Sequence, residues 1–117
     1  MTFVVIGRDP PGGEPRRRHR ADHLRFVTGQ QDKIVYAGPL IEAGQMIGSL
    51  FVFDLPDREA LDAYLAADPY FTGGVFATIE IFESRWMVPE REPGALAAEA
   101  DRSRRLSDGV SGPAGDV

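Results

Sequence analysis

Short runs rich in β-branched and aromatic residues recur along the chain and predict four β-strands. They cover residues 2–7, 33–41, 46–55 and 75–88. Only a short connection containing Glu-Ala-Gly separates the second run from the third, so we expect these two strands to form a hairpin.

The first helix is predicted between Pro15 and Gln31, after the structure-breaking loop RDPPGGEP. Ala21, Leu24 and Val27 recur at helical spacing there and are expected to form its apolar stripe. Gly29 weakens the last turn.

The second helix is the clearest element of the chain and lies within residues 56–69. Asp57 is its expected N-cap, because an aspartate side chain can accept from the free backbone N–H groups of the first turn. Leu61 and Tyr64 belong to its apolar stripe. Pro69 is expected to end the helix, since proline disfavours helical geometry at the residue before it.

The order β-α-β-β-α-β predicts an α+β, ferredoxin-like fold: a four-stranded antiparallel sheet with two helices on one face. A sheet with one wet face should alternate apolar and polar residues. These strands do not alternate cleanly, so their second face needs a cover. A second copy packed sheet to sheet, as a dimeric α+β barrel, is the expected cover and makes the protein a homodimer.

Composition sets limits on the function. The chain has 117 residues, no cysteine and a formal net charge of −5. It therefore cannot contain disulfides, thiolate metal sites or a cysteine nucleophile. The acidic balance argues against nucleic acid as a partner, and no apolar run reaches the ~20 residues of a membrane span. No secretory signal is apparent, so a cytoplasmic location is expected.

The chain divides by composition into a folded domain, residues 1–88, and a polar C-terminal tail, residues 89–117. Within the tail, residues 94–106 are expected to form a transient helix. Residues 107–117 are expected to be disordered, because they are rich in Gly, Pro and Ser. The basic run at 16–20 is expected to be a solvated helix start.

Two histidines, His19 and His23, lie on the first helix. His23 falls at the border of the predicted apolar stripe and is expected to be half-buried, whereas His19 is expected to be exposed. A boundary histidine is a structural residue more often than a catalytic one, so both interpretations stay open from the residues alone.

Asp68 stands at the end of the second predicted helix, where the helix dipole disfavours a carboxylate. Either it only marks the helix end, or a cation such as His23 or Arg20 meets it. A histidine–carboxylate pair would suit acid–base chemistry near neutral pH.

Other residues are candidates for binding a small molecule rather than for the chemistry itself. Tyr70 offers a phenol, Ser49 a hydroxyl, and Gly38-Pro39 a close backbone approach, although packing and turn formation explain each of them as well. No spacing resembles a metalloprotease helix, a phosphate loop or a serine nucleophile elbow. We therefore expect neither a metal nor a cofactor.

Several segments together resemble the YCII (YciI-like) family over roughly residues 2–88. They are RADHLRF (20–26), YAGPL (36–40), the long stretch 48–76 and the aromatic-rich last strand. The resemblance implies a dimeric α+β barrel and a site built on a histidine and an aspartate, which correspond to His23 and Asp68. Arg20 matches the basic residue before the histidine. The segment RDPPGGEPRRRHR departs from the family and is expected to change the mouth of the pocket.

The family resemblance implies a cofactor-independent lyase or isomerase of unestablished reaction, acting on a small organic, anionic ligand. In this hypothesis His23 and Asp68 carry the acid–base chemistry, and Arg20, Gly38, Pro39, Ser49 and Tyr70 bind substrate. The alternative is a non-catalytic dimeric module that binds a metabolite or a protein. A third hypothesis is a protein like the barrel monooxygenases.

Overall fold

The computed structural model describes residues 1–108, which contain four β-strands and four α-helices. The strands are β1 (Thr2–Arg8), β2 (Ile34–Glu42), β3 (Gln45–Asp54) and β4 (Thr78–Ser84). The helices are α1 (Glu14–Thr28), α2 (Arg58–Leu65), α3 (Pro69–Thr72) and α4 (Ala95–Ser107), with a 3-10 turn at Gln31–Lys33.

The four strands form one antiparallel sheet in the order β2-β3-β1-β4. The first strand is central, flanked by β3 and β4, and the β2–β3 hairpin lies at one edge. This order and the β-α-β-β-α-β sequence of elements confirm the predicted ferredoxin-like α+β fold.

One face of the sheet carries the hydrophobic core. Phe3 and Val5 of β1 and Phe51 and Phe53 of β3 are buried on that face. The helices and the segment before β4 complete the core with Leu61, Tyr64, Tyr70, Val75 and Phe76. The burial period of two along β1 and β3 places their other side chains on the opposite face.

The inward face of α1 differs from the predicted apolar stripe. Ala21 is exposed, and Leu24 is 47% exposed. The buried residues of this helix are instead Arg16 and His23. The prediction was wrong because polar partners elsewhere in the fold stabilise the buried basic side chains, and helical periodicity does not report such partners.

The predicted second helix is in fact two. Asp57 caps α2 as expected, since its side chain accepts from Ala60 N at 2.9 Å. This helix ends at Leu65, and a separate helical turn, α3, begins at Pro69. The last strand is also shorter than predicted, because Val75 and Phe76 enter the core before β4 begins at Thr78.

The other face of the sheet presents a row of apolar side chains across all four strands. Tyr36, Val52, Val4 and Phe82 are successive cross-strand partners in this row. Tyr36 is 57% and Phe82 50% exposed. The sheet is therefore apolar on both faces, as the strand composition predicts.

The chain forms two compact units, Met1–Ser84 and a second one from Arg85 onward. In the second unit, Trp86 Nε1 donates to Pro89 O at 2.7 Å and α4 occupies the segment predicted as a transient helix. The disorder predicted at the C-terminus falls mostly on residues 109–117, which lie outside the described residues. Across residues 1–108, none of the helices has the length and apolar character needed to cross a bilayer.

Candidate functional site

The site lies in the first unit, where α1 and α3 pack on the same face of the sheet. The helix α1 carries Arg16, Arg20 and His23 at spacings of four and three residues, which place them on one side. Arg16 is 4% and His23 8% exposed. The buried side of this helix is thus basic at its start.

His23 and Asp68 form a direct hydrogen bond. The distance from His23 Nδ1 to Asp68 Oδ1 is 2.7 Å, and the carboxylate is completely buried. A carboxylate oxygen can only accept, so Nδ1 of the imidazole supplies the hydrogen of this bond, and Nε2 keeps its lone pair while the ring is uncharged. The two residues singled out in the sequence are thus brought together.

Asp68 has two further donors. The hydroxyl of Tyr64 donates to Oδ2 at 2.8 Å, and the backbone N–H of Tyr70 donates to Oδ1 at 2.9 Å. Burial, followed by the charge of Asp68 and this hydrogen bond, raises the pKa of Tyr64 well above its usual range. Tyr64 is therefore a neutral hydrogen-bond donor to the carboxylate at all ordinary pH values.

The position of Asp68 corrects an expectation. It does not stand at the negative end of a long helix, because α2 stops at Leu65 and Asp68 is the N-cap of α3. Pro69 occupies the first turn of α3, where its missing N–H costs nothing. The backbone dipoles therefore favour the carboxylate at this position.

Tyr70 packs its ring against the imidazole. The ring centroids of Tyr70 and His23 are 3.6 Å apart with an angle of 3° between the planes, and Phe51 meets His23 edge-on at 6.1 Å. Tyr70 is 1% exposed. The His23 ring plane is therefore determined by aromatic packing as well as by its bond to Asp68.

A buried ion pair lies beside this network and was not predicted. Arg16 donates to Asp9 through Nε at 2.6 Å and through Nη2 at 3.0 Å. Burial by itself would lower the pKa of Arg16, but the hydrogen bond and charge of Asp9 raise it. The basic run at 16–20 was predicted to be a solvated helix start. Arg17 and Arg18 are exposed, as this prediction requires, but Arg16 is buried, so the prediction was wrong for Arg16.

Arg16 reaches two more residues of the site. Its Nη2 donates to Ser49 Oγ at 2.8 Å, and its Nη1 lies 3.4 Å from Tyr70 Oη. Ser49 therefore belongs to the network through Arg16. Only the tertiary structure could reveal these partners of Arg16. Ser49 and Tyr70 are distant from it in the sequence, and Asp9 lies across the loop that precedes α1.

Arg20 is the least compensated cation of the site. Its Nη1 lies 3.4 Å from Tyr70 Oη and 3.7 Å from Met46 Sδ. Within residues 1–108 it forms no ion pair with a carboxylate, whereas Arg16 has Asp9. No carboxylate in the described part of the chain therefore neutralises the charge of the Arg20 guanidinium.

The remaining predicted residues lie at the edge of this arrangement. Gly38 and Pro39 are in β2, where Pro39 is the cross-strand partner of Ser49. His19, predicted to be exposed, is partly buried: its Cε1 lies 2.7 Å from where a Cβ on Gly73 would stand. That prediction was wrong because α3 packs against α1 at this position.

A cleft of about 540 Å³ opens next to the Asp9–Arg16 pair. The loop before α1 and the start of β3 line it with residues 9–13 and 44–47, together with Arg16 and Arg17. Met46 is both a wall of this cleft and a contact of Arg20. In the described part of the chain no group of three or more His, Asp and Glu side chains is placed to hold a metal ion.

Comparison with known proteins identifies a family match over most of the chain. A family model described as the YCII-related domain matches residues 1–85. The site residues named above all fall inside the match, and α4 lies outside it. A search of curated proteins gave no significant match.

Solved structures share the fold. One of them is the 5-chloro-2-hydroxyhydroquinone dehydrochlorinase TftG from Burkholderia phenoliruptrix AC1100, in complex with 2,5-dihydroxybenzoquinone. It superposes with a TM-score of 0.66 at 26% sequence identity, and the match covers 74% of this chain and 94% of that one. SnoaB, a cofactor-independent oxygenase from Streptomyces nogalater, gives a TM-score of 0.45 at 22% identity, covering 76% and 96%. The second likeness is too distant to bear on function.

Proposed function

The chain belongs to the YCII family, and we propose that it is a cofactor-independent enzyme that moves a proton on a small anionic organic molecule. One observation carries the proposal: the 2.7 Å bond between His23 Nδ1 and Asp68 Oδ1 in a buried, fully hydrogen-bonded setting. A carboxylate that holds an imidazole in one tautomer is a recurring arrangement in acid–base catalysis.

In this proposal His23 is the base. Its Nδ1–H is engaged by Asp68, so Nε2 is the atom that takes a proton from the substrate and later returns it. When the imidazole becomes charged, the negative Asp68 beside it stabilises the imidazolium. The hydrogen bonds from the Tyr64 hydroxyl and the Tyr70 backbone N–H keep Asp68 in place whether the imidazole is neutral or protonated.

Arg20 is the proposed anchor for an anionic oxygen of the substrate. It lies one helical turn from His23 and has no carboxylate partner within the described residues. A phenolate, enolate or carboxylate oxygen of the substrate would therefore accept hydrogen bonds from its guanidinium and neutralise its charge. Gly38, Pro39 and Ser49 remain proposed substrate-side residues at the β2–β3 edge, and Tyr70 a proposed wall of the site.

The similarity to a dehydrochlorinase suggests the substrate class: a ring with acidic hydroxyl groups and a halide. The elimination needs no external oxidant. One hydroxyl proton moves to the halogen-bearing carbon, a second hydroxyl proton leaves with the halide as HCl, and two C–O bonds become C=O. His23 suits both proton movements, and Arg20 suits the oxygen that carries negative charge between them.

The test is chloride release from 5-chloro-2-hydroxyhydroquinone under anaerobic conditions, with quinone formation followed by absorbance. We expect His23→Gln to slow the reaction by roughly 10²- to 10⁴-fold, the range of general acid–base catalysis. The matched control His19→Gln, on the same helix, should stay within about threefold of the parent chain. Equal rates for the parent chain and His23→Gln would contradict the proposal, and binding without turnover would favour the non-catalytic alternative.

The proposed assembly is a homodimer formed through the open face of the sheet. The row of Tyr36, Val52, Val4 and Phe82 supports it, because a continuous apolar strip of this kind is disfavoured in water. A second copy of the same face would cover it symmetrically.

A further inference from the structure

The Asp9–Arg16 pair occupies an unusual place for two charged groups. Arg16 and the side chain of Asp9 are 4% and 3% exposed, and they form a two-pronged ion pair. Burying such a pair has a large desolvation cost, and an apolar pair of similar volume is often as stable. A contribution to the stability of the fold therefore does not by itself explain why an aspartate and an arginine occupy these two buried positions.

The contacts of Arg16 suggest a more specific reason. One guanidinium engages the Asp9 carboxylate, the Ser49 hydroxyl at 2.8 Å and the Tyr70 hydroxyl oxygen at 3.4 Å. Its central carbon also lies 5.0 Å from the centroid of the Tyr70 ring. Only arginine has enough donors in a rigid plane to make these contacts at once.

Tyr70 is held at both ends by this arrangement. Its backbone N–H is bonded to Asp68, and its hydroxyl lies between the guanidinium groups of Arg16 and Arg20. Between these two attachments, the ring lies parallel to His23 at 3.6 Å. A change at the hydroxyl end would therefore be transmitted to the imidazole through the stacked ring.

We propose that Asp9 and Arg16 form a positioning unit for His23. Through the Tyr70 hydroxyl, the unit holds the Tyr70 ring in the plane that keeps the imidazole aligned with Asp68, and Ser49 acts by orienting Arg16. The hydrogen bonds of Arg16 go to Asp9, Ser49 and Tyr70 and to neither His23 nor Asp68, so the unit acts through Tyr70. This inference concerns the site of the proposed function, but it makes a claim about geometry that holds with or without turnover.

The experiment is NMR of the imidazole signals in the full chain. The chain has two histidines, so His23→Gln assigns both sets of signals. Protons above an aromatic ring are shifted upfield, and His23 should show this shift from Tyr70. We expect Arg16→Lys, which keeps the charge but not the planar fork, to lose much of the upfield shift and to weaken the signal of the Nδ1-bound proton.

Arg18→Lys is the matched control, because Arg18 is exposed on the same helix and pairs only with Glu14 among the described residues. It should leave the His23 signals unchanged. Asp9→Asn removes the charge that holds Arg16 and should shift the His23 signals in the same direction as Arg16→Lys. It also keeps the test available if Arg16→Lys does not fold.

The decisive comparison combines Arg16→Lys with Tyr70→Phe, which keeps the ring and removes the hydroxyl. If Arg16 acts through that hydroxyl, the double variant should show the same His23 signals as Tyr70→Phe alone. An Arg16→Lys effect that persists at full size in the Tyr70→Phe background would overturn the proposal. So would His23 signals unchanged in Arg16→Lys and Asp9→Asn. Neither result depends on substrate, so both are separable from a failure of the chloride-release assay.

Discussion

His23 Nδ1 and Asp68 Oδ1 are 2.7 Å apart although 45 positions separate the two residues in the chain. The contact joins the middle of α1 to the first turn of α3. Since Asp68 is completely buried, each of its hydrogen bonds is made away from water.

Replacing the carboxylate should destabilise the protein strongly. Asp68→Ala removes the acceptor for Tyr64, His23 and the Tyr70 backbone and leaves these buried donors unpaired. We expect a loss of about 3 kcal/mol in the free energy of unfolding, measured by urea denaturation. The control is Asp22→Ala, which breaks only an exposed pair with Arg25 and should cost less than about 1 kcal/mol. Similar losses in the two variants would show that the buried network contributes little.

The Tyr64–Asp68 bond should make stability depend on alkaline pH. The pKa of Tyr64 is raised in the folded protein above its ordinary value of 10.0. Above that value the unfolded chain loses the phenolic proton and the folded chain keeps it, so stability present below pH 10 is lost as the pH rises. One such proton contributes about 1.4 kcal/mol per pH unit.

Tyr64→Phe tests this dependence. We expect it to lower the free energy of unfolding at pH 8 by about 1.5–3 kcal/mol, because a buried hydrogen bond to a charged acceptor is lost. The decline in stability above pH 10 should also become shallower. Urea titrations between pH 8 and 11 measure both effects. A decline as steep in Tyr64→Phe as in the parent chain would contradict the assignment.

The turn after α3 should not accept a side chain at Gly73. A Cβ there would stand 2.6 Å from the Pro69 carbonyl oxygen and 2.7 Å from the His19 ring. The backbone oxygen belongs to the turn that begins at Asp68, so relief of this clash would displace the site. Gly73→Ala should therefore cost about 1–3 kcal/mol of stability in urea denaturation.

Gly29→Ala is the comparison for Gly73→Ala. The nearest atom to a Cβ at Gly29 is 3.7 Å away, an ordinary contact. We expect its effect to be within about 1 kcal/mol of zero. Equal effects of the two substitutions would mean that the close approach at Gly73 relaxes without cost.

The open face of the sheet should respond to a charge if it is a dimer interface. Val52 lies in the middle of the apolar row, between Tyr36 and Val4. Val52→Lys should shift the protein from dimer to monomer in light scattering coupled to size-exclusion chromatography, because a buried unpaired charge is costly. Leu24→Lys places the same charge on an exposed helix position and should leave the mass unchanged. If the parent chain is already monomeric at micromolar concentration, the proposal of a homodimer is wrong.

Much of this architecture is readable from the chain itself. The β-branched runs, the short Glu-Ala-Gly connection and the Asp57 cap are local signals, so they predict the order of the elements and the hairpin. Pro69 is another local signal, because proline disfavours helical geometry at the residue before it, Asp68. The family resemblance added His23 and Asp68 as a pair, which the residues alone left undecided.

The tertiary structure alone decided which side of α1 is buried. Periodicity favoured Leu24, yet the helix buries Arg16 and His23, whose partners come from other elements. Whether a basic side chain is buried depends on whether its hydrogen bonds and charge are satisfied there. That depends on contacts with Asp9, Ser49 and Asp68, and no spacing within the helix reports them.

The same distinction explains Asp68. The sequence determined that a helix stops near this residue and that a carboxylate stands there. Only the fold made it the first residue of a new turn, with its carboxylate facing His23, because α3 packs against α1 rather than continuing α2. Local propensity fixes where helices end, whereas the direction of a side chain after such an end depends on the packing of segments distant in the chain.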